Sequence, residues 1–192
     1  MSVPSIHPRP GNLRVVAEEI EITTGLRVEI LGGNLVMSPT PRGKHAGTIL
    51  RLRQQLQPRM PQGLQPFEVT SIPMPDDDDD YCTPDLIVLP ESWADDDDWL
   101  ADAADVELAV EVISQSEKAR QITDKNGWYA VAGVKTLLVI DPRQGEWSLY
   151  THPKSGEYKG RLDGIYGDSI PLPEPFGFEL DSGCLPRYGL QS

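Results

Sequence analysis

Along this chain the spacing of apolar residues changes period several times, and each change marks an element boundary. Leu13, Val16, Ala17 and Ile20, set among polar neighbours over Leu13–Ile22, predict one or two helical turns. Arg27–Leu31 and Asn34–Met37 are short β-type runs separated by Gly32-Gly33, the pattern of a hairpin. Ser38-Pro-Thr-Pro41 ends it, because proline cannot continue a paired strand. From Arg42 to Gln57 the apolar positions 46, 49, 50, 52 and 56 follow helical spacing, closed by Pro58 and Pro61. Pro66–Ile72 reads as a strand, Asp85–Leu89 as a buried one, and Val106–Ile113 as another.

Ser114-Gln-Ser-Glu117 fits a capping box and predicts a helix from there to about Ala132, with Gly133 at the left-handed C-terminal position. Lys135–Ile140 predicts a strand stopped by Asp141-Pro142, and Gln144-Gly145 turns into a partner strand over Glu146–Thr151. Alternating Gly and Pro between Tyr158 and Leu180 predict added edge strands. Strands separated by two good helices indicate an α/β domain, a mixed central β-sheet flanked by helices, with an N-terminal β-hairpin. The expected organisation is a proline-rich disordered segment over 1–12, one domain over 13–184 and a tail over 185–192.

Composition narrows the setting. With 192 residues and 39% hydrophobic content the chain can bury a real core. It has no apolar run of about 18 residues to span a membrane, and Met1–Asn12 lacks the apolar stretch of a secretory signal. Two cysteines, Cys82 and Cys184, are too few for a disulfide framework or a thiolate zinc site, and a reducing cytoplasm is the simple reading, with one bridge between them as the minority alternative. The net charge of −13 argues against a nucleic-acid partner at first sight. Nine of those charges sit in two runs, Asp76–Asp80 and Asp95–Asp98, which read as solvated loops; their functional alternatives are weak cation binding or mimicry of a phosphate backbone. The absence of a basic patch predicts only weak non-specific affinity for DNA.

Candidate chemistry starts on Val106–Ile113. Strand alternation puts Val106, Leu108, Val110 and Val112 on one face and Glu107, Ala109, Glu111 and Ile113 on the other. Two carboxylates on an apolar strand are costly to bury unless they meet a cation. Glu107 is near enough to the strand start to reach solvent; Glu111 is not, so it needs either an arginine or lysine from a covering helix or a metal ion. Asp85, heading Leu86-Ile-Val-Leu89, is either a turn cap or a second metal-binding acid. Two carboxylates at the ends of neighbouring strands make a hard-oxygen site suited to Mg²⁺. Lys125 shares a helix face with Ile122 and Tyr129, so it either points inward to these acids or snorkels at the edge of the stripe.

These residues together resemble the PD-(D/E)XK nuclease superfamily, and within it the large bacterial family of putative restriction endonucleases. The resemblance rests on Pro84-Asp85, 25 intervening residues to Glu111, and a lysine displaced onto the following helix. It extends to Glu29 with Gly33-Asn-Leu-Val-Met-Ser-Pro-Thr-Pro41, to Thr83-Pro-Asp-Leu-Ile-Val88 and to Leu108-Ala-Val-Glu-Val-Ile-Ser114. Trp128-Tyr129, Ala132-Gly-Val134 and Leu138-Val-Ile-Asp-Pro142 continue it, so that it covers about residues 13 to 180. It implies a restriction-endonuclease-like fold and a metal-dependent endonuclease hydrolysing DNA phosphodiester bonds. Asp85 and Glu111 would bind Mg²⁺ (or Mn²⁺), and Lys125 would replace the lysine usually found where Ile113 stands. Glu29 is an accessory acid in this scheme. His45, at the opening of its helix, is either an accessory site residue or a histidine packed beside Ile49, Leu52 and Leu56. Gln121 stands where the family often has an acid, so the alternative is a weakly active or inactive nuclease-fold protein serving as a binding or regulatory module. Exposed edge strands make a homodimer an expected partner arrangement.

Overall fold

Two sheets divide most of the strands, and Glu29 of one comes close to Glu111 of the other. The computed structural model describes residues 12–38, 40–77 and 79–189. Of the segment 1–12 read as disordered, residues 1–11 fall outside this range, as do 190–192 at the other end, and Asn12 begins a helix. In chain order the elements are α1 (Asn12–Thr24), β1 (Arg27–Leu31), β2 (Asn34–Ser38), α2 (Gly43–Leu56), β3 (Leu64–Phe67), β4 (Ile72–Pro73) and β5 (Tyr81–Cys82). They continue as β6 (Leu86–Pro90), β7 (Leu108–Val112), α3 (Ala119–Ala132), β8 (Thr136–Asp141), β9 (Glu146–Lys154), β10 (Glu157–Ile165), β11 (Ser169–Pro171) and β12 (Glu179–Asp181).

The larger sheet is mixed, in the order β10-β9-β8-β7-β6-β3, with β7 and β8 its parallel pair. Helix α3 makes the crossover between them, as a parallel connection requires. On one face Ile49, Leu52 and Leu56 of α2 pack with Leu86, Val88, Leu108, Val110 and Val112. On the other, Trp128, Tyr129 and Ala132 of α3 pack with Ile87, Ala109, Ile113, Leu137 and Val139. The alternation read along the β7 segment therefore holds from Leu108 onward. Val106 departs from it: it lies before the strand and packs on the α3 side.

The expected hairpin belongs to a separate four-stranded sheet, β2-β1-β5-β4. Its turn is left-handed at both glycines, with φ 57° at Gly32 and 73° at Gly33, a conformation open to residues without a Cβ. Val28 and Ile30 face α1, where Ala17 is buried against them. Arg27 and Glu29 alternate with those two and project the other way, toward the larger sheet.

Several expectations change. Helix α1 runs well beyond one or two turns because Asp79 supplies a distant cap, accepting from the backbone N–H of Leu13 at 3.2 Å and of Arg14 at 3.5 Å. Asp80 accepts from Gly32 N–H at 2.5 Å and Gly33 N–H at 2.9 Å, closing the hairpin turn. Half of the first aspartate run's described members are thus buried structural acceptors and not solvated loop charges; Asp95–Asp98 is exposed as expected. The run Pro66–Ile72 is broken. Val69 takes φ 60°, its side chain is exposed, and the chain leaves the larger sheet at Phe67 to join the smaller one at Ile72.

Helix α3 begins at Ala119 instead of beside Ser114. Glu117 does accept from Ser114 N–H at 3.1 Å, but Arg143 Nη1 holds Glu117 O at 2.6 Å, and the helix starts only after Gln121 Oε1 accepts from Lys118 N–H at 2.9 Å. Gly133 ends α3 at φ 84°, as read. Between Tyr158 and Leu180 only β10 extends the larger sheet; β11 and β12 pair with each other. Both cysteines are free thiols, Cys82 buried and Cys184 exposed. Among the described residues no helix is long and apolar enough to cross a membrane.

Candidate active site

Four elements deliver charge to one buried locus: β1 brings Glu29, the residue before β6 is Asp85, β7 carries Glu111 and α3 carries Lys125. The position of Asp85 is fixed by backbone. Its N–H donates to Val110 O at 3.0 Å, and its Oδ2 accepts from Val112 N–H at 2.8 Å, so it stands against the two residues flanking Glu111. The side chain has further company at Oδ1, with His45 Nε2 at 3.0 Å and Arg27 Nη2 at 3.7 Å. The histidine approaches off the axis of a hydrogen bond, which leaves its Nε2 a buried group without one. Its Nδ1 lies 3.4 Å from Tyr188 Oη.

Lys125 turns inward. Its Nζ stands 2.8 Å from Glu111 Oε1 and 3.1 Å from Glu29 Oε1, with only 11% of its side chain exposed. The snorkelling alternative is thereby removed, and the salt-bridge alternative for Glu111 is realised by this same lysine. One helical turn on, Tyr129 Oη donates to Glu111 Oε1. Cys82 completes the cluster: its Sγ lies 3.1 Å from Tyr129 Oη, 3.2 Å from Glu29 Oε1 and 4.0 Å from Glu111 Oε1. Thr83 N–H donates to Glu29 Oε1 at 2.8 Å.

One ammonium shared by two buried carboxylates cannot neutralise both, and the two acids divide unequally. Burial raises Glu111, Lys125 opposes this, and the neighbouring charges of Asp85 and Glu29 add to it, so its carboxyl is pushed up to about 7. Burial would also raise Glu29, but Lys125, Arg27 and the Thr83 N–H outweigh it and hold that carboxyl below its usual range. Asp85 is likewise held low: against its burial stand His45 and Arg27. Burial would lower the Lys125 ammonium, yet the surrounding acidic groups raise it, so it stays charged. Burial, reinforced by Glu29, pushes the Cys82 thiol well up.

A space of about 10 Å³, the scale of one water, opens beside Glu111 and Lys125 and is also lined by Glu117 and Asn126. Glu107, the other acid of its strand segment, is separate from all this and pairs with Lys135 Nζ at 2.6 Å near the surface. Gln121 is spent on capping α3. The sequence points to Asp85, Glu111, Lys125, Glu29 and His45 but not to Arg27, Cys82, Tyr129 and Tyr188 as neighbours of the cluster. Arg27 was available from alternation with Glu29, and Tyr129 from its place one turn after Lys125. Cys82 stands three residues before Asp85 but carries no motif of its own, and Tyr188 arrives by tertiary contact alone.

A family model described as Uma2, "Putative restriction endonuclease", matches residues 17–183. The fold resembles the crystal structure of a putative nuclease from Anabaena variabilis ATCC 29413, with a TM-score of 0.67 and 18% identity over 84% of this chain and 90% of that chain. At that identity the likeness is one of fold. No curated protein matches the chain.

Proposed function

Since this chain belongs to the Uma2 family of putative restriction endonucleases, we propose that it is a metal-dependent endonuclease hydrolysing DNA phosphodiester bonds. The observation that carries this reading is the burial of Glu29 and Glu111 on the inward-facing ammonium of Lys125, with Asp85 buried beside them against His45 and Arg27. Structural ion pairs rarely leave three carboxylates in one desolvated locus, because unpaired buried charge is expensive. The donor chemistry fits a hard divalent cation: carboxylate oxygens suit Mg²⁺ or Mn²⁺, whereas the Cys82 thiol does not.

Asp85 and Glu111 would hold the ion, with Glu29 as the accessory oxygen donor. Mg²⁺ so held supplies Lewis-acid polarisation of a phosphate oxygen and lowers the pKa of a bound water. The chain's own groups do the rest. Val112 N–H and the proximity of Arg27 and His45 keep Asp85 ionised and fixed in orientation. Tyr129 Oη fixes one oxygen of Glu111. Lys125 lines the water-sized space beside Glu111, and its ammonium would orient an attacking water and offset charge developing on phosphate. With an acidic surface and no basic groove, non-specific affinity for DNA would be weak, and the scissile phosphate would be held by the site itself.

The test is incubation of the purified chain with supercoiled plasmid and with single-stranded DNA in Mg²⁺ or Mn²⁺. Cleavage abolished by Asp85→Ala is the expected result; no cleavage of any DNA form in either metal overturns the reading. The second reading, a binding or regulatory module on the same fold, draws on Gln121, whose side chain serves as a helix cap where an acid would serve a metal. It predicts a chain whose DNA is left intact while Mn²⁺ binding is insensitive to Glu111→Ala.

A further inference from the structure

Cys82 has no role in the hydrolysis proposed above, and its surroundings are unusual for a thiol. A free cysteine inside a protein usually behaves as a small hydrophobe. This one is fully buried, yet its Sγ is set among a phenol, two carboxylates and, across them, an ammonium. We infer that Glu29, Cys82 and Glu111 form a binding site for one thiophilic divalent cation of the zinc class.

Geometry carries the inference. One ligand atom from each of the three residues lies within 4.8 Å of the other two, and all three side chains are already buried. Zinc bonds of roughly 2.3 Å to sulfur and 2.1 Å to oxygen, at a tetrahedral angle, put sulfur and oxygen about 3.6 Å apart. The Sγ–Oε separations of 3.2 Å to Glu29 and 4.0 Å to Glu111 bracket that value, so small side-chain movements complete three corners. A fourth ligand would come from solvent.

Charge closes as well. Binding breaks the Sγ–H bond, forms a sulfur–metal bond and releases one proton to solvent. A dication with one thiolate and two carboxylates sums to minus one, and the ammonium of Lys125 brings the cluster to neutrality. That ammonium now bridges Glu29 and Glu111 and has to leave the bridging position as the cation enters. The zinc-class state and the lysine-bridged state are therefore mutually exclusive. Glu111 is also shared with the magnesium site proposed above, so a thiophilic ion blocks that site instead of serving it. Two cysteines are too few for an all-thiolate site, but a mixed donor set needs only one.

Cobalt(II) is the probe, added to the full-length chain carrying Cys184→Ser so that Cys82 is the remaining thiol. The expected result is a near-ultraviolet thiolate-to-cobalt charge-transfer band that saturates at one ion per chain. Zn²⁺ should bleach it, and at a pH well above 7, where the Glu111 carboxyl is already ionised, each ion bound should release one proton. Adding Cys82→Ser should remove the band, and adding Glu29→Gln should weaken cobalt binding about tenfold or more. No band in the Cys184→Ser chain, or a band that persists in Cys82→Ser, overturns the inference. Should Cys82→Ser fail to fold by circular dichroism, the Glu29→Gln titration decides: unchanged cobalt affinity overturns the site. DNA cleavage is read in none of these arms, so the failure of the nuclease reading and the failure of this one are told apart.

Discussion

The ammonium of Lys125 stands 2.8 Å from the carboxylate of Glu111 and ties helix α3 to the strand at the heart of the larger sheet. Both residues belong to the single β7–α3–β8 crossover, so their meeting is decided within one local unit. Glu29 joins them from another sheet and Asp85 from the neighbouring strand, and those two alignments depend on tertiary packing.

Replacing Lys125 by Met keeps the stem and deletes the charge. Glu29 and Glu111 then face each other without their bridging ammonium, and the expected loss of stability is about 3 kcal/mol in urea denaturation. The same variant should lower DNA cleavage at least about a hundredfold, the scale for removing one electrostatic donor from a reacting phosphate. A chain that keeps both its stability and its cleavage rate would show that the lysine is incidental.

Glu111 gives the protein a particular pH dependence. Its carboxyl in the folded chain is raised to about 7, above its ordinary value of 4.5, so its contribution to stability is present in full below the unfolded value and is lost as pH rises through about 7. Glu29 and Asp85 act in the opposite sense: their folded values are lowered, and their contribution is lost as pH falls through them. Melting temperatures of the wild type and Glu111→Gln, measured from pH 5 to pH 8 without divalent ions, should separate these. The glutamine variant gains on the wild type as pH rises; parallel curves would refute the assignment.

The two aspartate runs should behave differently. Asp80→Ala strands the N–H groups of Gly32 and Gly33 at the turn of the hairpin that carries Glu29, at a cost of about 2 kcal/mol. Changing Asp95–Asp98 to asparagine removes exposed charge only and should shift stability by less than about 0.5 kcal/mol. Equal effects in chemical denaturation would mean that the first run is not structural.

Asp85→Asn tests whether its negative charge or its shape matters. The amide oxygen still accepts from Val112 N–H, so the fold should survive with a loss of about 1 kcal/mol. Cleavage and Mn²⁺ binding should nonetheless fall sharply, since a neutral amide is a poor partner for a hard dication. Retained metal affinity in this variant would remove Asp85 from the proposed ligand set.

Where local pattern and local geometry coincide, the sequence is a good guide. The hairpin at Gly32-Gly33, the alternation from Leu108 onward and the stop at Gly133 all follow from interactions between near neighbours. The inward aim of Lys125 follows from its spacing to Ile122 and Tyr129, which both pack on the sheet. What stayed hidden depends on partners far along the chain. Asp79 caps a helix 65 residues away, Asp80 closes a turn 47 residues away, and neither job can be told from solvation in a run of identical side chains. The late start of α3 reflects Arg143 pinning Glu117 from the turn between β8 and β9. Val69 looks like a strand former, yet it sits at the corner where the chain changes sheets.

Glu29 and Glu111 lie on opposite sides of the seam between the two sheets. Peeling back the smaller sheet, the least extensive opening that would separate them, would also strip Lys125 of one partner and flood the cluster with water. Amide exchange at Val28 and Ile30 would therefore report on the chemistry as well as on the fold: a ligand that stitches the seam slows it, and an event that unstitches the seam silences the site before the rest of the molecule melts.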